Sequence, residues 1–212
     1  MKKDKQVIKH PSIKNPVETL ANTRHEFGEH GGVNMSIEAS TTFTAMHPDI
    51  LSEMFTGELG PDKGGCYLYG RHFNPTVYSL SRQLAALEGT EAAYCTASGM
   101  AAISGVLMQL CNAGDHIVSA NTVYGGTYAL MNDFLPAKCN VETTMVDITD
   151  LEAVEAAITD KTRVIYAESI SNPTLRLANS PALAEIAGRH GLKLVIDNTF
   201  SPLLLSPHQL GA

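Results

Sequence analysis

From Asn74 onward, short apolar runs alternate with stretches of helical period. Val77, Leu80, Leu84 and Leu87 share one face of a helix predicted over residues 76–88, and Gly89 stops it. Apolar runs at 92–96, 117–120, 141–146, 164–168 and 194–196 have the length and composition of buried parallel strands. Helices are predicted between them. One opens at T-A-S-G-M (96–100) and another, over 124–135, is entered through Y-G-G-T. A third, over 151–158, is capped by Asp150, and a fourth, over 181–190, ends at Gly191. Such alternation predicts an α/β fold: a mostly parallel sheet with helices on both faces and every strand's carboxyl end on one rim. No internal repeat or low-complexity tract interrupts it.

Before Asn74 the period is lost. A short helix is possible over 17–27, where Gly28, Gly31 and Gly32 break it, and 36–43 is Ser/Thr-rich with some strand character. Residues 1–60 read as an arm packing on another subunit or on the main domain, or as a poorly ordered terminus. Residues 61–212 read as the large domain. The stretch 57–75 holds too much Gly and Pro for a helix, yet carries Tyr67, Tyr69, Arg71, His72 and Phe73. An Arg among aromatics in such a loop suits a phosphate or carboxylate; it also suits an ordinary surface turn.

Composition narrows the function classes. With 212 residues, 44% hydrophobic and 17% charged, the chain can bury one sizeable core. A net charge of -7 without a basic run argues against a nucleic-acid partner. No apolar run reaches the ~18 residues of a membrane span, and the charged amino terminus lacks a secretory apolar region. The 4 cysteines form no C-x-x-C pair, which points to a reducing, cytoplasmic setting. His25 and His30 lack the spacing and acidic neighbours of a metal site, so no metal is expected.

The rim carries the chemistry. Ser98-Gly99-Met100 follows the first apolar run at a helix amino terminus, a ready anion site. Tyr124-Gly125-Gly126-Thr127 follows the second, Glu168 and Asn172-Pro173 end the fourth, and Asp197 ends the fifth. Singly these suit tight packing, a surface tyrosine, a plain turn or a helix cap. Together they suit a ligand with a phosphate, a flat ring and a ring cation. A buried Asp197 costs several kcal/mol unless paired, and the protonated pyridine nitrogen of pyridoxal phosphate is such a partner.

The motifs Y-G-R-H-F-N-P-T (69–76), A-S-G-M-A-A (97–102), Y-G-G-T (124–127), E-S-I-S-N-P-T (168–174) and V-I-D-N-T-F (195–200) stand in an order and spacing that resembles the Cys/Met metabolism (trans-sulfuration) family of pyridoxal-phosphate enzymes. That family includes methionine γ-lyase, cystathionine γ-synthase, cystathionine β- and γ-lyases and O-acetylhomoserine sulfhydrylase. The resemblance implies the aspartate-aminotransferase-like fold (fold type I). It implies that Ser98, Gly99 and Met100 hold the phosphate, that Tyr124 stacks on the ring and moves protons, and that Asp197 binds the ring nitrogen. Asn172 would lie near O3′ and the substrate carboxylate. Tyr69 and Arg71 would reach the phosphate in the neighbouring subunit, which implies a homodimer or homotetramer.

The chain departs from the family pattern in several places. The family's Schiff-base lysine belongs about ten residues past Ala212 in an S-x-T-K motif, and neither Lys161 nor Lys193 sits in a matching one. The large domain is therefore expected to be incomplete at its carboxyl end, and the chain alone to bind cofactor weakly without turnover. Ala129 stands where cystathionine-handling members tend to carry Arg, and Gly126 where methionine γ-lyases usually carry Cys. The expected activity is γ-elimination or γ-replacement on a small sulfur amino acid or activated homoserine, methionine γ-lyase-like first. A cystathionine synthase or lyase, an aminotransferase of the same fold and a catalytically silent homologue remain the alternatives.

Overall fold

Strands β1 (His116–Ala120), β2 (Glu142–Val146), β3 (Thr162–Glu168) and β4 (Lys193–Asp197) form one sheet in the order β2-β1-β3-β4, every pair parallel. The computed structural model describes residues 33–45, 47–63, 66–71 and 74–212. The helix expected over 17–27 and the pair His25 and His30 lie outside these residues. β1 and β3 have neighbours on both sides and are almost wholly buried. Their runs Ile117–Val118 and Val164–Ala167 are apolar because no residue there meets water. Among the described residues β2 and β4 pair on one side only, and both stay half-exposed. The run 194–196 is thus a strand as expected, though not a fully buried one.

Among the described residues the α-helices are α1 (Leu51–Thr56), α2 (Pro75–Glu88), α3 (Gly99–Leu110), α4 (Gly125–Ala129), α5 (Leu151–Ala156) and α6 (Ser180–His190). Local chemistry sets their ends. The side chains of Ser98, Asp150 and Asn179 each accept a backbone N–H in the first turn of α3, α5 and α6. Gly191 closes α6 at φ 65°, a conformation that costs glycine little. α4 runs on into a wider π-helical segment, Leu130–Cys139, so the single helix expected over 124–135 is replaced by two kinds of turn. Leu107, Met131, Leu135, Val154, Leu183 and Ile186 pack with Ile117, Val118, Val164 and Ile165 as the core. Burying each such side chain contributes about 1.5–3 kcal/mol.

The chain divides into two units, one ending at Leu87 and the other running from Glu88 to Ala212. The sheet belongs to the second. In the first, the Ser/Thr-rich run forms only a single antiparallel bridge, Thr42 to Tyr69. It is tethered by side chains: Asn74 Nδ2 donates to Glu38 O at 2.9 Å, and Thr76 Oγ1 accepts from Glu38 N at 2.9 Å.

The strand expected over 92–96 is corrected, and the face expected on α2 is found uncovered. Residues 92–96 form no strand, because none of the described strands lies beside them to complete a ladder; Tyr94 is 75% exposed. The stripe Val77, Leu80 and Leu84 of α2 is 40–49% exposed, while Ser79, Ser81 and Ala85 are buried. Helical period records which residues share a face, not whether another surface covers it.

His116 ties β1 to both neighbours. Its Nδ1 lies 2.8 Å from Thr162 Oγ1 on β3, and its Nε2 lies 2.8 Å from Thr144 Oγ1 on β2. Burial holds the imidazole below its usual pKa, partly offset by the charge of Glu142. The unfolded chain therefore takes up a proton that the folded chain refuses, and stability falls as pH drops below about 6.5. Urea titrations of the full-length protein between about pH 7.5 and 5.5 are expected to show a falling midpoint. His116→Gln flattens that fall, and an unchanged slope would contradict this role.

Candidate functional site

The strand ends and the start of α3 surround one cavity of about 360 Å³, within the range of small-ligand sites. Ser98, Gly99, Met100, Tyr124, Asn172 and Asp197 all line it. Glu168, Thr199 and Phe200 complete the wall. Tyr69 and Arg71 belong to the first unit, where the guanidinium lies 4.9 Å above the Tyr69 ring centre.

Ser98 is extended (φ -159°, ψ 160°), and its Oγ accepts from Ala101 N at 3.1 Å. That leaves the Ser98 hydroxyl hydrogen free to donate. The N–H groups of Gly99 and Met100 have no acceptor among the described residues, as expected for a first helical turn. This end of the cavity therefore offers N–H and O–H donors plus the positive end of a helix.

Another part of the lining is acidic. Glu168 and Asp197 end adjacent strands as register partners. Asp197 Oδ1 accepts from Thr199 N at 2.9 Å and from the Thr199 hydroxyl. Its Oδ2 lies 3.5 Å from the Tyr166 hydroxyl, which donates. Burial, followed by the Asp197 charge, pushes the Tyr166 phenol far above its usual range, so it stays a donor. No Lys, Arg or His pairs with Asp197 among the described residues. The missing counter-charge is the feature a ring cation would satisfy.

Glu168 is 6% exposed and uses both oxygens: Oε1 accepts from Tyr124 N at 2.7 Å, Oε2 from Asn172 N at 2.8 Å. Burial raises its pKa most strongly, the two N–H groups pull it down, and Asp197 adds a smaller push upward. The Tyr124 ring is half-exposed and lies over Gly126. A Cβ there would fall 2.6 Å from the ring's Cε1 and 3.2 Å from Met100 Sδ. The bare backbone at 126 is what admits this ring pose.

Sequence reasoning placed Glu168 on the rim without a role, and it missed Tyr166, Thr199 and Phe200. A signal existed for Glu168, since Y-A-E ends its apolar strand as V-I-D ends the next. Among the described residues no cluster of His, Cys, Asp or Glu could hold a metal, none of the four cysteines is in a disulfide, and no helix is long and apolar enough to cross a membrane.

Cystathionine γ-lyase from Lactobacillus plantarum, solved with L-serine, superposes with a TM-score of 0.79 at 36% identity over 93% of this chain and 48% of that one. A Campylobacter jejuni chain described as an O-acetylhomoserine (thiol)-lyase, solved with N′-pyridoxyl-lysine-5′-monophosphate, superposes at 0.84 with 29% identity, covering 93% and 47%. The fold is that of the fold type I pyridoxal-phosphate enzymes. Residues 18–212 match the Cys/Met metabolism PLP-dependent enzyme family, and the chain belongs to that family. Methionine gamma-lyase of Arabidopsis thaliana is 61% identical over 93% of this chain, and L-methionine gamma-lyase of Pseudomonas putida 39% identical over 87%. The chain spans 45% of the length of each.

Proposed function

We propose that the protein carrying this chain catalyses pyridoxal-phosphate-dependent γ-elimination or γ-replacement on a sulfur amino acid or activated homoserine, with methionine the first substrate to test. The observation that carries the reading is Asp197, a carboxylate without a cationic partner among the described residues, set in one cavity with the donor-rich end of α3. The 61% identity to a methionine gamma-lyase supports the substrate class. The donor set fits the cofactor: helix N–H groups for a phosphate, a ring for stacking, and a carboxylate for a ring N–H.

When bound, pyridoxal phosphate supplies an electron sink for negative charge at the substrate's Cα. The Gly99 and Met100 N–H groups and the Ser98 hydroxyl bind its phosphate. Asp197, oriented by Thr199 and Tyr166, holds the proton on the ring nitrogen. Tyr124, on the cavity wall, would stack on the ring, and its hydroxyl would deliver a proton to the departing γ-substituent. Asn172, which lines the same cavity, would serve O3′ and the substrate carboxylate. Tyr69 and Arg71 serve the phosphate of a neighbouring subunit, so the working form is a homodimer or homotetramer. Four cysteines without a disulfide fit a cytoplasmic setting.

Full-length protein titrated with pyridoxal phosphate is expected to gain an absorbance band near ~420 nm and to release thiol, ammonia and a 2-keto acid from methionine. A keto acid without thiol would instead favour an aminotransferase. A folded full-length protein that binds no cofactor overturns the reading.

A further inference from the structure

The carboxylate that the proposed chemistry leaves unused is Glu168. We propose that Glu168 is a positioning residue, its single carboxylate holding the backbones of Tyr124 and Asn172 and so fixing two walls of the cavity at once. This rests on the functional reading above, because those walls are taken to meet the cofactor and substrate.

The geometry makes the two contacts interdependent. Tyr124 follows β1 and Asn172 follows β3, and the described contacts give their N–H groups no acceptor except Glu168. Tyr124 stands at the N-cap of α4 but makes no side-chain cap of its own. Its backbone direction therefore depends on a partner 44 residues away. Glu168 is itself fixed, buried at the end of a strand that pairs on both sides. Two converging N–H donors need two acceptor oxygens. A carboxylate has them, whereas a glutamine has one oxygen and would turn an NH₂ toward the second N–H. Retaining an acid here has a cost, since Asp197 is its register partner. A residue needed for packing alone would not require a second negative charge at that place.

The test uses the full-length protein. Apo protein is titrated with pyridoxal phosphate by absorbance, kcat and KM are measured with methionine, and thermal midpoints are recorded. Glu168→Gln is expected to weaken cofactor binding and lower kcat, each by about 5- to 100-fold, the cost of one unsatisfied buried donor. Tyr124→Phe combined with Glu168→Gln is expected to lose less kcat than the product of the two single losses, because part of the Glu168 effect acts through Tyr124 and only the remainder through Asn172. Glu168→Asp, which keeps the charge with a shorter reach, recovers part of the loss. Should Glu168→Gln fail to fold, Glu168→Asp carries the same comparison against Tyr124→Phe. Cofactor affinity and kcat equal to wild type, even with a lowered thermal midpoint, overturn the positioning role. Strictly multiplicative losses in the double variant overturn it as well. A wild-type protein that binds no cofactor overturns the functional reading and this role with it; a wild type that binds alongside an unchanged Glu168 variant overturns only the role.

Discussion

Asp197→Asn in the full-length protein is expected to lower kcat by at least about 10²-fold while leaving the fold intact. Asparagine keeps the size of the side chain and an oxygen for the Thr199 N–H and hydroxyl, so the local turn survives. What it removes is the negative charge. An opposite charge at contact distance shifts a pKa by about 1–3 units, each unit being worth 1.36 kcal/mol. Without it, the ring nitrogen of bound cofactor loses its proton at a correspondingly lower pH. The spectral pH titration of the variant is therefore expected to move down by about 1–3 units together with the loss in kcat. Turnover within about threefold of wild type would remove Asp197 from the role of ring anchor.

Tyr124→Phe separates proton delivery from stacking. The substitution deletes one hydroxyl and keeps both the ring over Gly126 and the backbone N–H bonded to Glu168. Cofactor affinity is expected to stay within about twofold, whereas elimination from methionine falls roughly 10²–10⁴-fold, the usual contribution of a positioned general acid. Stopped-flow release of thiol, compared with equilibrium cofactor titration on the same sample, distinguishes the two effects. Near-normal turnover would show that another group supplies the proton.

Much of the rim was legible because a buried parallel strand is a plain apolar run, and the first polar residue after it marks the carboxyl end. V-I-D and Y-A-E announced themselves in this way, and Asp150 was legible as a cap from its place before an apolar helical run. Other features depend on partners that local pattern does not contain. Ala92 to Thr96 has the composition of a strand, but a strand needs a ladder, and its partner is set by topology. Val77, Leu80 and Leu84 share a face as their spacing requires, yet nothing in that spacing says what covers it. Glu168 was visible as an acid on the rim; its grip on Tyr124 arises only once β3 brings them together.

Gly126 makes an empty volume part of the site. The Tyr124 ring and the Met100 sulfur already fill the space that a side chain at 126 would need. Volume in a packed site is conserved to within about a methylene before strain sets in. Positions 100, 124 and 126 therefore form a single steric unit for redesign. A larger residue at 126 is compatible only with a smaller one at 100 or a ring turned away at 124. Transplanting a side chain from a relative into position 126 alone would then report on a displaced tyrosine as much as on the group introduced.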